Sequence, residues 1–340
     1  MSLVIVTGAG GFLGKRLTKT LLKNGHKVIG LARGNYPELE ELGVTMYQCD
    51  LADKQSIERA FKLINKENQS EVDAIFHTAS KVAMWGKWED FYNTNFIGTK
   101  NLVEIAKEYK IKNMIYTSTP SVVFEWDDIE NGDESLPYAK DSKSLYAKSK
   151  ALAEKYVLSQ INDDFKACAL RPHLIFGEGD QNMIPRLIEA AKKGHLKQVG
   201  DGKNKVDVVY IENAVSAHIK AYNALKNSKA NGKAYFIGQG PVELWPFINE
   251  ILAKHDLPPI TKKISFSKAY RIGAIIEWVL KLLRIFNIHP PMSRFVALQL
   301  AKSHYFNHEQ AHKDLGYRPE ISVKDALERS FGKTDGSIHS

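Results

Sequence analysis

Residues 3–14 read LVIVTGAGGFLG. LVIVT has no polar alternation, which is how a strand buried on both faces reads. Gly8, Gly11 and Gly14 follow at once. From Phe12 the pattern turns helical: Leu13, Leu17 and Leu21 share one face over 12–24, and Gly25 ends it. The glycine spacing is G-x-x-G-x-x-G rather than G-x-G-x-x-G. Its position, after a strand and opening a helix, is what a dinucleotide turn requires. Small residues let a pyrophosphate approach the backbone, and the helix start offers free N–H groups. The alternative is a tight turn with no ligand.

The alternation continues. KVIGLA (27–32) and VTMYQC (44–49) read as strands, followed by a helix near 53–65. AIFHTA (74–79) precedes a helix near 89–109, NMIYTS (113–118) precedes a helix over 144–161, and KACALRP (166–172) closes the series. This order predicts an α/β fold, a doubly wound parallel sheet of the Rossmann type. After residue 172, Pro185, Pro241, Pro246, Pro258–Pro259 and Pro290–Pro291 punctuate an irregular stretch. The expected division is a dinucleotide-binding domain over 1–171 plus about 205–237. A smaller C-terminal α+β substrate lobe then takes 172–204 and 238–331, with a disordered tail over 332–340. Segment 205–225 reads as strand then helix and is expected to return to the main sheet.

The 340 residues are 44% hydrophobic and 25% charged, which suits a globular chain with a full core. The net charge is +8, but the lysines are scattered without a block of like charge, and no nucleic-acid signature accompanies them. No nucleic-acid partner is expected. Cys49 and Cys168 lie far apart without a C-x-x-C, so a reduced, cytoplasmic setting is expected. The N-terminus enters a strand directly and carries no signal-peptide pattern.

The second strand ends LARGN. A NAD site usually has a carboxylate here for the ribose hydroxyls. Arg33 stands in that place and would instead pair with a 2′-phosphate, which predicts NADP(H), with NAD(H) as the alternative. Asp50, past the third strand, could meet an adenine amino group or cap the helix that Leu51-Ala52-Asp53 opens.

Tyr146 and Lys150 lie four apart in SLYAKSKALAEKY (144–156), on one helical face. A nearby ammonium should lower a phenol's pKa and fit it for proton transfer. Tyr222 and Lys226 repeat the spacing, are expected to open the helix leaving the late strand, lack the flanking motifs and read as a chance copy. The first pair follows YTSTPSVV, which puts Ser118 and Thr119 at a strand's carboxyl end, where a hydroxyl could bond the reacting oxygen.

TGAGGFLG, CDL (49–51), HTAS (77–80), NTNFIGT (93–99), YTST (116–119), Tyr146-x-x-x-Lys150 and RPHLIFGEGD (171–180) together resemble the extended short-chain dehydrogenase/reductases, over nearly the whole chain. Within them the chain resembles the 3β-hydroxysteroid dehydrogenase branch. KVAMWG (81–86), TPSVVF (119–124), ALRPHLIFGEGD (169–180) and VGDGKNKVD (199–207) are similar to bacterial 2-alkyl-3-oxoalkanoate reductases of olefin biosynthesis.

The resemblance implies an NADP(H)-dependent oxidoreductase interconverting the 3-keto and 3-hydroxy groups of a lipid-like keto acid. Tyr146 would be its acid/base, and Lys150 would hold the nicotinamide ribose. Thr119 stands where the family usually has serine; threonine adds a methyl and a stiffer χ1, and Ser118 is the other candidate. Cofactor contacts would come from Gly8, Gly11, Phe12, Leu13, Gly14, Arg33, Asp50, Leu51, Thr78, Ala79, Ser80, Lys81, Asn95, Thr117, Tyr146, Lys150, Pro172 and Leu174. Asn95 would steady the active-site helix or be a buried structural residue. The resemblance also implies a homodimer formed through the helices near 89–109 and 144–161.

On the substrate side, Trp85, with Met84 and Trp88, could line an apolar channel or pack as a hydrophobic loop; Val122 is a further candidate, and His173 is either a buried, satisfied histidine or a substrate contact. A substrate carboxylate would need a cation, and Lys81, Arg186 and Lys203 are available. YRIGAIIEWVLKLLRIF (270–286) is apolar but interrupted by charges, so it suits a pocket cover or a helix lying on a membrane, not a span. His304, His308 and His312 are four apart, yet Asn307 reads as a helix cap that leaves His304 outside; no metal is expected. Three rival readings are a sterol or steroid dehydrogenase, a nucleotide-sugar epimerase and a non-catalytic NADP-binding protein. Arg33 counts against the epimerase, and Pro120-Ser121 after Thr119 counts against its dehydratase relatives.

Overall fold

The computed structural model describes residues 1–68, 70–181 and 183–332; most of the expected tail, 333–340, lies outside them. Seven strands make the main sheet: β1 (Leu3–Thr7), β2 (Lys27–Ala32), β3 (Thr45–Gln48), β4 (Val72–His77), β5 (Asn113–Thr117), β6 (Lys166–Pro172) and β7 (Ala234–Ile237). All neighbours are parallel, in the order β7-β6-β5-β4-β1-β2-β3. The chain reverses its direction of travel across the sheet between β1 and β4. A doubly wound sheet opens its ligand crevice at such a switch point, beyond the carboxyl ends of the strands.

The apolar runs are explained by burial on both faces. Val4 and Val6 enter one core with α1 (Phe12–Lys23). Leu3 and Ile5 enter the other with α2 (Lys54–Glu67), α3 (Gly98–Glu108) and α4 (Leu145–Ser159). The helix expected near 89–109 is three pieces: Trp88–Phe91, a π turn over Tyr92–Ile97, and α3.

Segment 205–225 differs from expectation. Its strands, Lys205–Asp207 and Val209–Tyr210, join two small accessory sheets rather than the main one. Its helix, α5 (Ile211–Lys226), does cover the main sheet, packing its apolar face into the core of α1, and only β7 rejoins that sheet. Tyr222 therefore closes α5 instead of opening it. The larger accessory sheet orders Pro241–Glu243, Lys205–Asp207, His304–Phe306 and Ile129–Gly132. Nearby, α6 (Phe266–Leu282) packs against the helix Arg294–Ala301. No helix among the described residues is long and apolar enough to cross a membrane.

Candidate active site

Strand register brings the site together. Thr7 pairs with His77, His77 with Tyr116, and Thr117 with Leu170, so these carboxyl ends lie level. The glycine turn sits beside them. Gly8 has φ +67, and a Cβ there would lie 2.8 Å from the Cα of Ala79. A Cβ on Gly14 would lie 2.1 Å from the Gly8 carbonyl oxygen, which is the close helix–strand approach such turns need. Gly11 caps α1 without a side-chain bond, leaving the N–H groups of the first turn open. This cradle fits a dinucleotide pyrophosphate. Tyr36, which the sequence reading passed over, lays its ring where a Gly10 Cβ would be, within 2.0 Å; its only signal was an aromatic shortly after Arg33. Arg33 itself is exposed at the end of β2.

The floor of the turn is a chain of hydroxyls and one imidazole. Thr99 Oγ1 donates to Asn95 O at 2.6 Å, so it accepts from His77 Nε2 at 2.8 Å. His77 Nδ1 then accepts from Thr7 Oγ1 at 2.7 Å, and Thr7 accepts from the Ala79 N–H at 3.3 Å. Burial and, after it, the charge of Lys150 push His77 down to about 3, so the ring stays neutral. Thr78 Oγ1 donates to Thr7 O at 2.7 Å.

Asn95, on the π turn, is buried. Its Oδ1 accepts from Lys81 N at 2.7 Å, and its Nδ2 donates to Ser149 Oγ at 2.9 Å. It thus ties the loop after β4 to α4. That helix begins at Ser144, whose Oγ accepts from Ala147 N at 3.1 Å. Asp50 closes a turn by accepting from Ala52 N at 3.0 Å, while Asp53 caps α2; Asp50's side chain remains exposed.

Tyr146 and Lys150 stand on α4 over the end of β5. The Tyr146 phenol lies beside the hydroxyls of Thr119 and Ser80. Burial pushes this phenol up to about 12, against the pull of those two hydroxyls. The expected lowering by Lys150 is not found. Lys150 is buried, donates to Thr117 O at 2.6 Å and lies 4.1 Å from the Tyr116 ring centroid, so its charge is turned to a carbonyl and a π face. Burial pulls its ammonium down to about 7, opposed by the Glu154 carboxylate one helical turn away. Glu154 is fully buried and accepts from Arg171 Nε at 3.1 and 3.2 Å and from Tyr138 Oη at 2.8 Å. Sequence reasoning missed this support; its signal was a carboxylate on a buried helical face and an arginine in an apolar strand.

Thr119 Oγ1 accepts from Ser121 N at 3.3 Å and faces Tyr146, while Ser118 Oγ is buried with no hydrogen-bond partner among the described residues. Thr117 Oγ1 bonds His218 at 2.9 Å, on the far side of β5. Pro172 ends β6, and Leu174 just beyond it has φ +41, a strained value for a residue with a side chain. His173 is buried and bonds His304 at 2.6 Å. Val122 is buried in a cluster with Phe236 and Phe306.

The other substrate candidates scatter. Trp85 is buried against Phe286 and donates to Ile285 O at 2.9 Å. Lys81 Nζ pairs with Asp90 at 2.9 Å. Arg186 is exposed beside His289, and Lys203 is exposed. His304 is on a strand and His308 precedes the helix Glu309–Leu315, so the three histidines share no helical face.

The model of the 3-beta hydroxysteroid dehydrogenase/isomerase family matches residues 5–266. A 2-alkyl-3-oxoalkanoate reductase from Stenotrophomonas maltophilia is 42% identical over 96% of this chain and 97% of its own length. Human sterol-4-alpha-carboxylate 3-dehydrogenase, decarboxylating, is 36% identical over 96% of this chain and 86% of its own. Among solved structures, Thermus thermophilus UDP-glucose 4-epimerase in complex with NAD superposes with a TM-score of 0.73 at 21% identity, covering 99% of this chain and 100% of that one. That likeness bears on the fold alone.

Proposed function

The chain belongs to the 3-beta hydroxysteroid dehydrogenase/isomerase family of NAD(P)-dependent oxidoreductases acting on CH–OH groups, and on that footing we propose that it is an NADPH-dependent reductase of long-chain 2-alkyl-3-oxoalkanoic acids. The observation that carries the reading is Tyr146. Its phenol meets two neutral hydroxyls at the carboxyl edge of the sheet and, held up to about 12, stays protonated at neutral pH. That is the form that gives a proton to a ketone oxygen as it becomes an alkoxide.

A bound nicotinamide supplies the hydride; the chain's residues handle position and proton. Gly8, Gly11, Phe12, Leu13 and Gly14 would hold the pyrophosphate, and Arg33 a 2′-phosphate. Asp50 and Leu51 would lie by the adenosine. Thr78, Ala79, Ser80, Lys81, Asn95, Thr117, Pro172 and Leu174 would line the path to the nicotinamide. Lys150 would bond its ribose from the place where it now meets Thr117. Thr119 would share the substrate oxygen with Tyr146, since its acceptor side is already used by Ser121 N. Residues 172–204 and 238–331 would shape the apolar pocket; of the substrate candidates, Trp85, His173 and Arg186 are held by separate partners, Phe286, His304 and His289.

The test is NADPH consumption with a 2-alkyl-3-oxo acid, with NADH run alongside. Turnover with a preference for NADPH is expected, and Arg33→Ser should cut that preference by about 10–100-fold, the worth of a charge-assisted bond. Turnover on a 4-carboxysterol but not on the alkyl keto acid would favour the activity named for the human relative.

A further inference from the structure

α6 is packed the wrong way round for an ordinary surface helix. Its buried side carries Ala269, Gly273, Glu277 and Leu280, at helical spacing. A Cβ on Gly273 would lie 2.5 Å from the Ser293 carbonyl carbon, so the helix is pressed close through its small residues. Its outer side carries the large apolar ones. Ile275 is 62% exposed, Trp278 65%, Leu282 65% and Leu283 59%. Amphipathic helices normally do the reverse.

The charges follow the same division. The only carboxylate of the helix, Glu277, is buried and accepts from Arg294 Nε at 2.8 Å and Arg294 N at 2.7 Å. The exposed charges between 266 and 288 are Lys268, Arg271, Lys281 and Arg284, all cationic. Lys87, from the loop after β4, adds another beside Phe286. The patch is continuous with that loop: Val82 and Met84 are also exposed, and Trp85 pins the loop to the end of α6 through Ile285 O.

We propose that this face lies on a lipid bilayer bearing anionic headgroups. Trp and Leu side chains would enter the headgroup–acyl boundary, while lysine and arginine stems reach up to the phosphates. A second copy of the chain fits the face poorly. A two-fold interface sets a patch against itself and would oppose four cations with four. The helix has 17 residues and cannot cross a bilayer, but it can lie along one. The surface is independent of which keto acid is reduced, so vesicle binding is read separately from turnover.

The experiment is flotation of the full chain with phosphatidylglycerol/phosphatidylcholine vesicles and with pure phosphatidylcholine, alongside sedimentation without lipid. The wild type should float with the anionic vesicles. Trp278→Ser with Leu282→Ser should cut the partition about tenfold or more, because both side chains are exposed and their loss leaves the core intact. Lys281→Gln with Arg284→Gln should weaken binding to anionic vesicles by roughly 25-fold, about fivefold per cation, with no change on phosphatidylcholine. Unchanged melting temperatures would show that both variants are folded. A wild type that stays below the anionic vesicles overturns the proposal. So does a Ser double variant that floats as well as the wild type, or an oligomer dissolved by that variant without any vesicle binding.

Discussion

The two Tyr-x-x-x-Lys pairs occupy opposite ends of the sheet. Tyr146 and Lys150 lie over the carboxyl ends of the strands, while Tyr222 and Lys226 meet Asp73 at the start of β4. Tyr222 donates to Asp73 Oδ2, and Lys226 Nζ reaches the same oxygen at 3.2 Å. Burial raises the Tyr222 phenol, and the bond to Asp73 raises it further, so a neighbouring anion holds its proton. Burial also raises Tyr146, but there the partners are neutral hydroxyls that can pass a proton on. Lys226 is half-exposed and neutralised; Lys150 is buried and faces a carbonyl. Spacing puts a phenol and an amine on one face. What surrounds them determines whether the pair does chemistry or fastens a helix to a strand.

The largest effect that would sharpen this contrast concerns the support behind Lys150. Glu154→Gln leaves Arg171 buried beside a neutral partner, and breaking a buried pair costs about 3–5 kcal/mol, read by denaturant unfolding. It also removes the carboxylate that raises Lys150. If protonated Lys150 is needed, activity falls as pH rises through its value of about 7, and in Glu154→Gln that fall begins at lower pH. An unmoved limb would separate Lys150 from the reaction.

Next come the two hydroxyls after β5. Thr119→Ala should lower turnover about 100-fold, the usual loss for one hydrogen-bond donor to a developing oxyanion. Ser118→Ala should stay within about threefold, because an unpaired buried hydroxyl is being removed. The reverse pattern would make Ser118 the working hydroxyl.

Tyr222→Phe has the smallest effect, about 1 kcal/mol of stability with turnover unchanged. Against the upward push of burial, bonds from Tyr222, Ser2 and Lys226 hold the Asp73 carboxyl below its usual range. A lowered carboxyl stabilises the fold above its unfolded value, and that contribution is lost as pH falls through the folded one. The variant's deficit should therefore be full near neutrality and fade in acid, as thermal melts at several pH values would show.

Much of this was legible from residue pattern. β1 is buried on both faces and reads as an unbroken apolar run, as β6 does over 167–170, and Gly8 and Gly14 stand where backbones nearly touch. The π turn at Tyr92–Ile97 has no such signature, because its hydrogen bonds shift without any change of residue type. The strand at 205–210 reads like any other, and nothing local says which sheet it joins. The phenol's acidity was misread because the lysine was given its full effect, whereas burial dominates and the ammonium points to Thr117. In α6 the apolar residues left both a pocket cover and a membrane-surface helix open; the tight contact at Gly273 sets the large ones outward.

The central claim is that Tyr146 gives its proton to the substrate oxygen. It is tested most directly by single-turnover NADPH oxidation with a 2-alkyl-3-oxo acid, comparing the wild type with Tyr146→Phe and Tyr222→Phe at matched cofactor occupancy. The account predicts a rate lowered by about 10²–10⁴ in Tyr146→Phe, with NADPH affinity kept, and no change in Tyr222→Phe. A Tyr146→Phe rate within a few-fold of the wild type would contradict it.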